Sequence, residues 1–176
     1  LYEAVITVRV DGKPTDTLRT TFGMREFRVH GTDFELNGQR ILLRGGNIAF
    51  HRFLSDRQRG VLPWDERWIT KALIDIPKEH HFNFFRNHLG QMYHRWYDIA
   101  DEHGMLLQNE WQFWGVTGTD AQIRKEFTEW LHDNWNHPSI VMWDPINEST
   151  DETMQHQIVP AMKKLGGRSI VEFLVA

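Results

Sequence analysis

The sequence contains no cysteine, which excludes disulfides and thiolate metal sites while fixing no compartment. It also lacks any apolar stretch near the ~20 residues that span a bilayer as a helix. No basic run occurs, and the net charge is −4 with a pI near 6.2. Neither nucleic acid nor a membrane surface is therefore an expected partner. No charged segment followed by an apolar one opens the chain, so no signal peptide is legible. Leu1 stands where an initiator Met would, and the native start is expected upstream. Localisation is left open. What is present is enough apolar material for a real core. Of the 176 residues, 40% are hydrophobic and 25% charged, as in one globular domain or one and a fraction. The aromatic load is heavy, with 8 Trp and 11 Phe, and most of these rings are expected in the core.

Residues 1–30 read as β structure. Ile6, Val8 and Val10 alternate with Thr7 and Arg9, the period of a half-buried strand, and Asp11-Gly12 signals a turn. Phe34-Glu35-Leu36 and Ile41-Leu42-Leu43 flank Asn37-Gly38, a two-residue hairpin signal. After Leu43 the pattern changes to alternating strands and helices. The expected strands are Ile41 to Asn47, Phe82 to Arg86, Met105 to Glu110 and Ile140 to Trp143. Asp65 caps the first helix, which Pro77 should end or kink. Gly104 terminates the second. Thr119-Asp120-Ala121-Gln122 and Ser149-Thr150-Asp151-Glu152 are capping boxes for the third and fourth. Pro160 is a defect or kink in the last.

Four strand–helix units in series imply parallel strands with right-handed crossovers. A complete eight-stranded (β/α) barrel takes about 250 residues, and residues 33–165 supply about half of that. The expected fold class is α/β, the first half of a TIM barrel preceded by the end of a β domain. Residues 1–30 are the end of that domain and the junction. Residues 31–165 are four barrel units, and 166–176 form a tail without counterpart.

Asn136 to Glu148 is an apolar strand that ends abruptly in Asn147-Glu148. In a barrel of parallel strands that end is where chemistry is done. This segment resembles the acid/base segment of glycoside hydrolase family 2, which includes β-galactosidases, β-glucuronidases and β-mannosidases. Phe22-Gly23-Met24-Arg25-Glu26 resembles the family's junction between an immunoglobulin-like β-sandwich and the barrel. Phe34 to Gly38 with Leu43 to Asn47 is similar to its first barrel strand, Asn83 to His88 to its second, and Tyr97 to Gly104 to its second helix. Five motifs in order cover about residues 20 to 165. There are departures: Ile48-Ala49-Phe50 separate Asn47 from His51, Leu89-Gly90 follow His88, and Gly166-Gly167-Arg168-Ser169 follow the fourth helix.

The resemblance implies a retaining β-glycoside hydrolase, a hydrolase acting on a terminal β-linked sugar. Such an enzyme needs two carboxyl groups ~5–5.5 Å apart. Glu148 is implied as the proton donor, and Asn147 as the partner of the sugar 2-hydroxyl. A general acid must hold its proton near neutral pH, and Trp143 and Ile146 are candidates for the apolar surroundings this takes. Asn47, Arg86, His88 and Glu110 all end strands on one rim and are further substrate-binding candidates. Arg86 and Glu110 equally suit a structural ion pair. Trp111 is a candidate sugar platform, with loop packing as its plainer role.

Ten His raise the question of a metal, but no His-Glu-x-x-His pattern is present. Some family members carry Mg²⁺ or Na⁺, yet nothing here calls for one, so no metal and no cofactor is expected. The family's nucleophile, a Glu on the seventh strand, has no counterpart. Glu172 falls in the tail, and Glu110 matches a supporting residue. The expected partners are a carbohydrate and either the remainder of the same polypeptide or another copy of the chain. The rival reading is a non-catalytic carbohydrate-binding or interaction fragment of such an enzyme.

Overall fold

The structure, a computed structural model, describes residues 1–90, 92–115, 118–148 and 152–165, without the side chains of Met162 and Leu165. Ser149 to Asp151 of the second capping box and residues 166–176 lie outside the described residues.

The chain opens with an antiparallel hairpin, β1 (Tyr2–Val10) and β2 (Lys13–Phe22). Asp11 and Gly12 at its tip have φ of 49° and 74°, the pair of left-handed residues that matches strand twist in a two-residue turn. The expected half-burial is not found. Ile6, Val8 and Val10 are 53%, 53% and 56% exposed. The reason is the missing second layer, since β1 and β2 form a sheet of two strands on their own.

A second sheet follows, of β3 (Phe27–His30), β4 (Asp33–Leu36) and β5 (Gln39–Ile41). Asn37 and Gly38, at φ 52° and 74°, make the expected turn. β3 pairs with β4, so it groups with the residues after it. Phe27 from this sheet is buried with Leu106, Val141 and Met142, and Phe34, Leu36 and Ile41 pack on the same cluster.

The third sheet is parallel and runs in sequence order: β6 (Gly45–Ile48), β7 (Phe84–Asn87), β8 (Leu106–Glu110) and β9 (Ile140–Asp144). Helices connect the strands, which is what parallel neighbours require. Residues alternate in facing, except that a register shift against β8 leaves Val141 and Met142 together on one side of β9. Ile48, Phe85, Leu107, Ile140 and Trp143 join the large core under the helices. Their neighbours face the opposite side, where Phe84, Leu106 and Met142 meet the β3–β4–β5 sheet near the strand starts. The strand ends on that face are polar.

The helices are α1 (Glu66–Ile69) and α2 (Ile76–Glu79) around a π-helical stretch at Thr70–Asp75, α3 (His94–His103), α4 (Asp120–Asn134), and α5 (Val159–Leu165) after a π-helical stretch at Met154–Ile158. Asp65 caps α1 through the Arg67 and Trp68 N–H groups, and Thr119 caps α4 through that of Gln122. Gly104, at φ 65°, ends α3.

Pro77 does not end its helix. The N–H of Ile76 donates to the carbonyl of Lys71, five residues back, and the helix continues to Glu79. Pro160 is accommodated in the same way, with Val159 N–H donating to Met154 O. A proline ring clashes with the carbonyl four residues earlier, and a widened turn moves that carbonyl aside.

One long-range clasp ties the junction to the sheet. Arg25 donates from Nε to Pro138 O at 3.1 Å and from Nη2 to Ile140 O at 2.5 Å. Burial lowers the pKa of this arginine, and Asp101 opposes the shift.

Candidate active site

The polar ends of β7, β8 and β9 converge on Arg86. Its Nη2 lies 2.9 Å from Glu110 Oε2 and 3.2 Å from Asp144 Oδ2. Its Nε is 3.3 Å from the same Asp144 oxygen. Nη2 also donates to Asn147 Oδ1 at 3.0 Å. Gln108 Nε2 donates to Asp144 Oδ2 at 2.8 Å. His88 Nδ1 stands 3.0 Å from Glu110 Oε2. The sequence produces this cluster by strand parity. Arg86 registers with Gln108, and Glu110 with Asp144, so all four share the face opposite the helices.

The backbone beyond β9 is also fixed. Asn147 N–H donates to Phe113 O at 3.0 Å, and Trp111 N–H donates to Asp144 O at 2.7 Å. Glu148 follows with φ 45°. A left-handed glutamate carries strain of about 1–3 kcal/mol, and such residues gather at functional sites.

Two carboxyls at 0% exposure share one guanidinium. Burial pushes the Glu110 carboxyl above the usual range; Arg86 and His88 pull it back, and Asp144 pushes it further up. Burial raises Asp144 likewise, against Arg86 and Gln108. Among the described residues, Glu110 Oε1 and Asp144 Oδ1 are buried without a hydrogen-bond partner. These carboxylates do not suit a resident cation, because one nitrogen of Arg86 already bridges them and would repel it. Elsewhere, Asp98, Asp101 and His137 bring potential ligand atoms within 4.8 Å. Asp101 there has both oxygens engaged, by His137 Nδ1 and by Ser139 N–H, which reads as a clasp between α3 and β9.

Of the residues singled out from sequence, Arg86, His88, Glu110 and Asn147 are brought into direct contact. Asn47 registers beside Arg86 on the same face and is exposed. Glu148 lies at the same rim, one residue beyond Asn147, and is exposed. The apolar surroundings expected from Trp143 and Ile146 are not at Glu148, because both side chains are buried in the core beneath the helices. Trp111 is not available as a sugar platform. It is 6% exposed, with its ring 5.6 Å from Phe113 and 5.1 Å from Phe127, so loop packing is its role. Asp144 and Gln108 were missed. The legible signal was a carboxyl at the end of an otherwise apolar strand, facing the same way as Met142.

The family model described as "Glycosyl hydrolases family 2, TIM barrel domain" matches residues 27–174. The chain belongs to glycosyl hydrolase family 2. Curated family 2 relatives include a beta-galactosidase of Thermoanaerobacterium thermosulfurigenes, 30% identical over 184 aligned positions, covering 97% of this chain and 25% of the relative. A beta-galactosidase of Streptococcus thermophilus is 27% identical over 168 positions, covering 85% of this chain and 16% of its own length. A putative beta-glucuronidase of Formosa agariphila is 30% identical over 154 positions, covering 84% and 18%. The chain thus spans a quarter or less of these relatives. In fold it is similar to a β-glucuronidase from Ruminococcus gnavus solved with D-glucuronic acid, at TM-score 0.77 and 23% identity, covering 96% of this chain and 30% of that one. A family 2 barrel stretch accounts for the parallel sheet of strands joined by helices.

Proposed function

We propose that this stretch carries the acid/base half of a retaining β-glycoside hydrolase. The observation behind it is the Arg86–Asn147 hydrogen bond, 3.0 Å long, which fixes the residue before Glu148 at the strand ends. In this reading Glu148 protonates the leaving oxygen and then activates water, while Asn147 bonds the sugar 2-hydroxyl. Arg86, held between Glu110 and Asp144, positions Asn147. His88 and Asn47 face the sugar. The nucleophile is neither Glu110 nor Asp144, since both are buried and bound to Arg86. It comes from further barrel strands, which also supply the charge or cover that Glu148 needs as an acid. The hairpin β1–β2 belongs to a preceding immunoglobulin-like sandwich.

The test is Glu148→Gln in the polypeptide that completes the barrel. Hydrolysis of alkyl β-glycosides should fall ~10²–10⁴-fold. Activated aryl glycosides, whose leaving groups need little protonation, should fall less. Equal losses on both would refute the acid role. The 176-residue chain by itself should show no turnover, because one free carboxyl cannot both protonate and displace.

A further inference from the structure

Beside the polar cluster lies a cleft of ≈ 340 Å³, within the range of small-molecule pockets. It is built by the loops that follow β6, β7 and β8. Phe50, Leu54, Pro63 and Leu89 give it apolar walls, Trp64 and Tyr93 add rings with a polar atom each, and His51 and Gln112 add polar side-chain groups. Among the described residues, no Asp, Glu, Lys or Arg lines it.

One ring contact and two chain adjacencies join this cleft to the site. The His51 ring centroid is 6.3 Å from that of His88, which in turn bonds Glu110. Leu89 and Gly90 follow His88 directly. Gln112 precedes Phe113, whose carbonyl holds Asn147.

Two features mark the cleft as more than a gap between loops. Trp64 keeps 55% of its surface exposed although its ring sits 5.1 Å from Tyr93, at 64°. Leu89 has φ 50° and Gly90 φ 129°. A left-handed leucine is a rare, strained state, and here it sets the lip of the cleft.

We propose that this cleft receives the substrate's aglycone, and that the aglycone is aromatic. The assignment rests on the glycosidase reading above. A sugar ring carries several hydroxyls, and burying them against Phe50, Pro63 and Trp64 leaves them unpaired at a cost. The sugar belongs with Asn47, Arg86, His88 and Asn147. A planar apolar group with one hydrogen-bonding atom fits the cleft, stacking on the Trp64–Tyr93 pair. His51 serves as its polar partner in the neutral form, because burial, Arg52 and His88 all lower its pKa.

Equilibrium dialysis of the polypeptide that completes the barrel against phenol and the hydrolysis-resistant phenyl and methyl 1-thio-β-galactosides tests this, with the matching thioglucuronides as a second set. Phenol should be retained. In at least one set the phenyl glycoside should be retained about tenfold or more better than the methyl one. Trp64→Ala and Leu54→Asp, both at exposed positions, should abolish these differences. Trp114→Ala, at an exposed tryptophan outside the cleft, should keep them. Failure to retain phenol, or retention unchanged in both cleft variants, overturns the pocket. Phenol bound with phenyl and methyl glycosides equal in both sets overturns the aglycone assignment. No bond is broken in these readouts, so failure of the acid role shows only in hydrolysis.

Discussion

Arg86 serves two buried carboxyls and an amide through one nitrogen, and that crowding has a pH signature. The folded-state pKa of Glu110 is raised by burial above its ordinary 4.5, and that of Asp144 above 3.8. Between the ordinary and raised values the folded state holds protons that the unfolded state has released. Their contribution to stability is therefore fully present below about pH 4.5 for Glu110 and 3.8 for Asp144, and declines as pH rises through the raised values. Glu110→Gln mimics the protonated form at all pH. Its unfolding free energy, followed through the melting temperature, should gain on the parent as pH rises above about 4.5, by about 1.4 kcal/mol for each tenfold change in proton affinity removed. A variant that loses ground over that range would mean the Arg86 attraction outweighs burial. Asp56, held down to about 2 by Arg59, pulls the other way in both proteins and cancels in the comparison. At this scale the sequence reveals Arg86, His88 and Glu110 because strand parity puts them on one face. Asp144 is hidden by its setting, since Trp143-Asp144-Pro145 reads as an ordinary strand end. For Trp111 the plainer role, loop packing, is the one found, and a sequence does not show that Phe113 and Phe127 take both its neighbourhoods.

The first strand of the parallel sheet depends on a missing side chain. A Cβ on Gly45 would lie 1.6 Å from the Phe84 carbonyl oxygen, whereas one on Gly46 would meet nothing within 4 Å. Gly45→Ala should force β6 away from β7 and lower stability by about 1–3 kcal/mol or more. Gly46→Ala should stay within ~0.5 kcal/mol of the parent. Denaturant midpoints measured side by side check both, and equal shifts would show that β6 is not seated as described. Turns and caps are the most legible elements, because Asp-Gly, Asn-Gly, Asp65, Gly104 and Thr119 act within a few residues. Pro77 misleads because the usual rule assumes α geometry throughout, and a π turn suspends it. The apolar alternation of β1 identifies an apolar face correctly but says nothing about whether another layer covers it.

For the molecule as a whole, β6 and β9 stand at the edges of the parallel sheet, with no further strand paired beyond either among the described residues. The hairpin adds the exposed Tyr2, Ile6, Val8, Val10 and Leu18. Free edges and contiguous apolar patches drive association. The 20.9 kDa chain should therefore sediment as a dimer or larger species, or aggregate, when purified alone. A monodisperse monomer with a sharp melt would show that the edges and the bare face are tolerated. The α/β architecture is legible at this scale because strand and helix periods alternate along most of the chain. The placement of the β3–β4–β5 sheet under the strand starts is not, since it depends on contacts between distant apolar residues.

The Arg25 clasp also bears on the order of events during synthesis. Its acceptor carbonyls lie 113 and 115 residues further along the chain. Translation at about 5–20 residues per second separates donor and acceptors by on the order of 10 s. The hairpins and the β6–β7 and β7–β8 pairs all have their partners earlier than that. During synthesis Arg25 is therefore a late fastener, and the long loop it closes leads us to expect the same order in refolding. Arg25→Ala should hasten unfolding and leave the folding rate nearly unchanged, a contrast that stopped-flow measurement of both chevron arms resolves. A slowed folding arm would instead place the clasp in the rate-limiting step.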